Sequence, residues 1–310
     1  MTNLKYDLII VGGGPIGAGS AYFISQNKKE LNLKNIALIQ KEPEIYNGIA
    51  YPNAGGSIRW YFEDEEIKTN TKKTADFILS IKDKIDLNLI QDNYYFLHRG
   101  IIVPSLNISG KKLVEYFKNA AQINGVKIYS NTEFQKIEKE NGIYKIITNQ
   151  GEFFGERVIF ALGHKNKEYF NLENIEIEKR QLFVLDLNLS PEQINLPHPI
   201  LKFGSGIIFY FVKKFENGYK LVLGQEEIFE HNLNPEPENY FQNLIQMGLD
   251  EILPFLKNVQ IEKILWGFDT TNKKPLINNY DKNVFIVNCG SAVRSLVGII
   301  EELIKNLKNE

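Results

Sequence analysis

Apolar positions along this chain fall into two alternating patterns. Leu8 to Val11 form an uninterrupted apolar run that ends in glycines, which is the pattern of a parallel strand covered on both faces. Similar short runs predict strands at Asn35 to Gln40 (NIALIQ), Val126 to Tyr129, Val158 to Ala161 within RVIFALG, and Asn283 to Asn288 (NVFIVN). Helical spacing separates them. Glu63 to Lys84 carries Ile67, Phe77, Ile78 and Ile81 as inward positions, and Lys111 to Asn124 carries Leu113, Val114, Phe117, Ala120, Ala121 and Ile123, with Gly125 as its stop. A C-terminal helix follows the last strand, with Leu296, Val297, Ile300, Leu303, Ile304 and Leu307 on one face. Strands alternating with helices predict an α/β fold built on a parallel sheet.

A second pattern, of turns between longer strands, is superimposed on the first. Tyr94 to Val103 reads as a hairpin turning at Arg99-Gly100, and Phe134 to Ile137 with Tyr144 to Thr148 reads as a meander about Asn141-Gly142. From about Asn174 to Ile264 strands dominate; Gly206 to Val212 and Tyr219 to Leu223 flank Asn217-Gly218, a hairpin signal. Pro235 and Pro237 mark a loop and Tyr240 to Leu253 a helix. The expectation is a mostly antiparallel second domain whose sheet packs over the first. Tyr51 to Phe62 (YPNAGGSIRWYF) is rich in turn residues and aromatics and reads as a loop able to approach a planar ligand.

The candidate chemistry starts at the first strand. Gly12, Gly14 and Gly17 give G-x-G-x-x-G between strand and helix: the first permits a tight turn, the second lets a pyrophosphate approach the backbone, the third lets the helix sit close to the strand. With Pro15 and Ile16 they place a helix N-terminus, with its free N–H groups and partial positive charge, against phosphates. At the end of the second strand an acidic residue normally accepts from an adenosine ribose. Here Gln40 stands there, followed by Lys41 and Glu42, so the ribose acceptor is the Gln40 carbonyl oxygen or Glu42. Ala161 and Gly163 are small enough for a cofactor to pass the end of their strand.

Composition narrows the function by exclusion. The 310 residues carry a formal net charge of −2, which offers nothing to nucleic acid or an anionic surface. Cys289 is the one cysteine, so disulfides, CxxC redox pairs and cysteine-bound zinc are excluded, and no metal site is expected. No apolar run is long enough to span a bilayer, and the N-terminus runs straight into the first strand; a cytoplasmic protein is expected.

Three segments stand in one order: VGGGPIGAGSAY, VIFALG and FIVNCGSA. Together with AGGSIRWYF and WGFDTTNKKPLI (Trp266 to Ile277), they resemble the FAD-dependent D-amino acid oxidase family, which includes sarcosine and glycine oxidases. The resemblance covers almost the whole chain. It implies a Rossmann-like FAD-binding domain of the glutathione reductase type (residues 1–84, 104–173 and 271–310), interleaved with an antiparallel β substrate domain (85–103 and 174–270). It implies non-covalent FAD, held by Gly12, Gly14, Pro15, Ile16, Gly17, Gln40, Lys41, Gly55, Gly56, Ala161, Gly163, Gly290, Ser291, Ala292 and Val293. Gln40 departs from the family's glutamate, and Asn288-Cys289-Gly290 departs from the Gly-Asp of aromatic hydroxylases.

The function this implies is hydride transfer from a small amine or amino acid to flavin N5. Arg59 and Arg294 are the candidates for a substrate carboxylate, since guanidinium matches it bidentately; Arg59 has the flavin as a rival partner and Arg294 a surface salt bridge. Tyr210 is placed above the flavin by the resemblance, with a core role as the alternative. The N-terminus of the last helix, at Gly290 to Val293, is expected near flavin N1 and O2. His164 reads as a loop residue near the cofactor. Two alternatives remain: oxidation of a 2-hydroxy acid or polyol phosphate, and a flavin-binding electron-transfer or accessory subunit. Partner classes are accordingly a small-molecule substrate, a second copy of the chain, or an electron-acceptor protein.

Overall fold

The computed structural model describes residues 5–43, 56–59, 64–96, 101–172, 175–188, 198–203, 206–215, 218–226, 259–270, 276–290 and 292–309. The expected turn at Arg99-Gly100, the Pro235–Pro237 loop and the helix over 240–253 lie outside them.

The first sheet is built around β1 (Lys5–Val11), which pairs in parallel with β2 (Ile36–Ile39) on one side and β9 (Gly151–Phe160) on the other. β6 (Lys127–Tyr129) extends it beyond β2, and β16 (Val284–Asn288) extends it beyond β9, both in parallel. β15 (Leu276–Asp281) closes that edge antiparallel to β16. The strand order is therefore β15-β16-β9-β1-β2-β6, with β1 at the centre.

Both faces of β1 are buried, and the two-residue alternation sends its side chains into different cores. Leu8 and Ile10 pack with the helices α1 (Pro15–Gln26), α2 (Glu65–Ile81), α3 (Gly110–Ile123) and α5 (Leu296–Lys308). Ile9 and Val11 face Phe134, Tyr144, Ile146, Phe153 and Phe160, a cluster that Tyr6 also joins near the start of the strand, outside the strict alternation. These belong to the meander β7 (Phe134–Glu140), β8 (Ile143–Thr148) and β9. Each such side chain contributes about 1.5–3 kcal/mol by leaving water. A short helix, α4 (Lys165–Phe170), follows β9.

β9 is longer than its apolar core predicts. Its first half pairs antiparallel with β8 and its second half runs parallel to β1 and β16, so one strand serves the meander and the parallel sheet. Gly155 makes this possible, because a Cβ there would collide with the Ile9 side chain.

The second sheet has the order β14-β10-β13-β12-β11-β4-β5-β3. It comprises β3 (Ser57–Arg59), β4 (Ile90–Phe96), β5 (Ile101–Asn107), β10 (Ile177–Asn188), β11 (His198–Phe203), β12 (Gly206–Phe215), β13 (Gly218–Glu226) and β14 (Ile261–Thr270). All its pairings are antiparallel except β11 with β4. Within the expected loop of 51–62, Ser57–Arg59 forms an edge strand, fixed by its pairing to β5 and by the Ile108 N–H donating to Gly56 O at 3.1 Å.

Two glycines test the packing. A Cβ on Gly17 would strike the carbonyl oxygen of Gly12, whereas Gly163, at φ +61°, has open space around it. Gly17→Ala is expected to cost at least about 3 kcal/mol by overpacking and Gly163→Ala about 1 kcal/mol of backbone strain. Equal shifts in the denaturant midpoint would contradict this packing.

Candidate functional site

The C-terminal ends of β1, β2, β9 and β16 lie side by side, and the segments leaving them carry most of the residues expected at a cofactor. The turn after β1 is locked from both sides: Gly12 N–H donates to Ile39 O at 2.8 Å, and Ala161 N–H donates to Val11 O at 2.8 Å. Gly12 has φ +115°, and a Cβ there would meet the Ala161 carbonyl. The structure thus brings Gly12, Gly17, Ala161 and the Gln40 side chain together, the last lying directly over Gly13.

α1 begins with Gly14 as its N-cap and Pro15 in its first turn, without a side-chain cap or an acidic residue in that turn. α2 and α3 differ: Asp64 accepts from the N–H groups of Glu66 and Ile67, and Ser109 accepts from Lys112 N–H. An uncapped helix N-terminus beside a glycine turn suits an anion.

Gln40 is buried at 2 % exposure and its amide is divided in function. Nε2 donates to Glu42 O at 3.2 Å, Pro43 O at 3.0 Å and Ser130 Oγ at 3.0 Å. Two carbonyl acceptors fix which end of the amide is nitrogen. Oε1 is left as a buried acceptor without a donor among the described residues, on the Gly13 side. Lys41 turns to the surface, where its Nζ pairs with Glu133 at 2.7 Å. On α3, burial pushes the Lys118 ammonium down to about 8, against the opposing pull of Glu115 and Glu42.

The end of β16 holds an arrangement absent from the sequence expectations. Asn166, in α4, and Asn288 are both buried, and Asn166 Nδ2 donates to Val287 O at 2.9 Å and Asn288 Oδ1 at 3.0 Å. This clips the segment after Gly163 to the segment before Gly290. An amide in an otherwise apolar, fully buried strand is the sequence signal that marks Asn288.

The last helix starts later than expected. Gly290 and Val293 are buried and Ala292 is half-buried, but these residues lie before the helix, which begins at Leu296 after a turn through 292–295. Its first turn is tied down by Thr74 of α2, whose Oγ1 accepts from Val297 N–H at 3.1 Å. Arg294 sits half-buried in that turn. Arg59 is buried on β3, in register with Ser105 of β5. Gly56 packs on Ile108 at φ +63°, while Gly55 and Ser291 lie outside the described residues, and Tyr210 is described only by its place in β12, opposite Leu223. Among the described residues no group of His, Cys, Asp or Glu could hold a metal ion, and no helix is long and apolar enough to cross a membrane.

His164 follows Gly163 at this edge, and burial holds its imidazole below the ordinary value of 6.5, with Lys165 adding to the effect. Below a pH of about 6.5 the unfolded chain takes up this proton before the folded one does. Stability therefore rises with pH through that window and is lost as the pH falls. His164→Gln is expected to flatten the difference in unfolding free energy between pH 7 and pH 5.5; an unchanged slope would remove His164 from the account.

Comparison with known proteins bears on the family and the fold. Residues 92–298 match the DAO family, described as FAD dependent oxidoreductase. The bifunctional protein ThiO/ThiG of Synechocystis sp. is 26% identical over 173 residues, 55% of this chain but 25% of that protein. The chain thus spans about a quarter of the length of that relative. Among solved structures, L-proline dehydrogenase from P. horikoshii superposes with a TM-score of 0.78 at 18% identity, covering 97% of this chain and 94% of that one. Glycine oxidase from Bacillus cereus gives a TM-score of 0.73 at 18% identity, covering 98% of this chain and 97% of that one. The glycine turn, the open N-terminus of α1 and the family match over residues 92–298 lead to one conclusion: the chain belongs to the DAO family of FAD-dependent oxidoreductases.

Proposed function

We propose that this chain oxidises a small amine or amino acid, removing a hydride from the carbon that bears nitrogen and releasing an imine that water hydrolyses. The observation that carries the cofactor half of this reading is the buried, unsatisfied Gln40 Oε1 beside Gly13, next to the uncapped α1. An acceptor there fits a ribose hydroxyl, and the helix N-terminus fits the pyrophosphate. Gly12, Gly14, Pro15, Ile16 and Gly17 would hold the phosphates and Gln40 the ribose. Ala161, Gly163 and the loop from Gly290 to Val293 would line the path toward the flavin. When bound, FAD supplies a two-electron acceptor, chemistry that no side chain offers.

The protein's own residues have narrower tasks. Asn166 ties the segments at the ends of β9 and β16 to each other, which would hold the loops along the proposed cofactor path at a fixed separation. Arg294, at the entrance to α5, and Arg59, on β3, are the two arginines proposed to meet a substrate carboxylate. The amine and amino acid reading is supported by full-length superposition on a proline dehydrogenase and a glycine oxidase.

Anaerobic addition of separate pools of amines and amino acids, 2-hydroxy acids and polyol phosphates is expected to bleach the flavin absorption only with the first pool. Bleaching by either of the others would replace the substrate class. Gln40→Leu is expected to weaken FAD binding by about tenfold, the loss of one or two hydrogen bonds. Unchanged affinity in a fluorescence titration would move the ribose contact elsewhere.

A further inference from the structure

Where β3 pairs with β5, the second sheet buries polar groups on the face turned away from the helical core. Along β5, Ile102 and Pro104 are exposed, while Val103, Ser105 and Asn107 are buried on the opposite face. The register sets Arg59 of β3 opposite Ser105 and Ser57 opposite Asn107. Residues directly opposite in an antiparallel pair project from the same face. Ile58 and Leu106 project the other way and join the helical core. The face of an antiparallel sheet turned away from the core is commonly solvated, yet here Arg59 is 6% exposed, Ser105 1% and Asn107 1%.

Ser105 Oγ and both amide atoms of Asn107 have no hydrogen-bond partner among the described residues. Arg59 is held by an interaction of its own, so the open positions belong to Ser105 and Asn107. A buried amide with neither end paired is less favourable than an apolar side chain of the same shape, which points to a partner from outside the chain. That partner must present a donor and an acceptor side by side, and the neighbouring guanidinium favours one that is negatively charged at its acceptor end.

We propose that Ser105 and Asn107 form the recognition wall for the amine and carboxylate of an α-amino acid. Asn107 Oδ1 accepts from the substrate nitrogen; Asn107 Nδ2 and Ser105 Oγ donate to the carboxylate, within the field of Arg59. The assignment rests on the amino acid reading of the site and makes these two residues determinants of its specificity. A polyol phosphate, with no nitrogen to donate, leaves Asn107 Oδ1 poorly used.

The test is anaerobic rapid-mixing reduction of the holoenzyme by glycine, sarcosine and L-proline, with Asn107→Leu, which keeps the side-chain volume, and Ser105→Ala, a smaller change should the first variant fold poorly. The expected result is an apparent dissociation constant raised about tenfold or more for the amino acid that reduces the wild type, equivalent to one hydrogen bond to a charged group. The flavin spectrum and midpoint potential of the substrate-free variants stay at their wild-type values. A shifted potential with an unchanged dissociation constant would assign this face to the flavin and overturn the proposal, as would no change in either quantity in both variants. If no amino acid reduces the wild type, the amino acid reading itself fails; if one does and both variants match it, only the recognition wall fails.

Discussion

At the C-terminal end of β1 three backbone segments meet too closely for any side chain to stand between them. Gly12 approaches the Ala161 carbonyl, and Gly17 packs against the Gly12 carbonyl. The hydrogen bonds from Gly12 to Ile39 and from Ala161 to Val11 hold β1, β2 and β9 in the alignment this requires. The rest of the cofactor side depends on that contact. It aims α1 at the space beyond the strand ends, and it leaves Gln40 lying on Gly13 with one acceptor unmatched. Under the proposed function, stability and cofactor binding are therefore built from the same atoms. Interior dispersion and burial tolerate small changes of shape elsewhere in the core, but not here, because backbone cannot repack as side chains do.

In the proposed function the two sheets divide the work. The parallel sheet offers strand ends and a helix N-terminus, which are sources of N–H groups and partial positive charge suited to a dinucleotide. The antiparallel sheet offers a broad face on which side chains of fixed register can be set side by side, which suits reading a small polar molecule. β3 joins the two functions: it follows directly from the glycine segment ending at Gly56, and it pairs with β5 while its Ile58 enters the core shared with α2 and α3. Asn166 plays a comparable part at the other edge, clipping the loops that leave β9 and β16.

Much of this was legible from periodicity. β1, β16 and α5 carry unbroken apolar runs or a helical stripe, and burial on the predicted faces follows; in α3 it follows at Leu113, Val114, Phe117 and Ala121, but Ile123, expected to face inward, is 86% exposed because the helix ends there and its last turn reaches past the core. The hidden parts share a physical cause. β5 runs on to Asn107, but Pro104, Ser105 and Asn107 are turn-forming residues, so the pattern suggests that the strand stops at Val103. Ser57–Arg59 is obscured in the same way by the glycines before it. The first half of β9 mixes charged residues with Gly155, whose purpose, clearance for Ile9, exists only once the strands are paired. Polar side chains turned inward, such as Asn107 and Asn288, break binary patterning, and such breaks are expected where a site rather than a core is being built. The start of α5 is hidden in the sequence because the turn through 292–295 has helix-compatible composition, and the tie between Val297 and Thr74 of α2 is a tertiary contact.

The central claim is that the turn after β1, with α1 and Gln40, reads the adenosine diphosphate half of FAD. Titration of the apoprotein with FAD, FMN and ADP tests it most directly, followed by flavin fluorescence and by competition. The account predicts that FAD binds one to one, that ADP competes with it, and that FMN, which lacks the adenosine half, binds far more weakly. FMN binding as tightly as FAD, or ADP failing to compete, would contradict it.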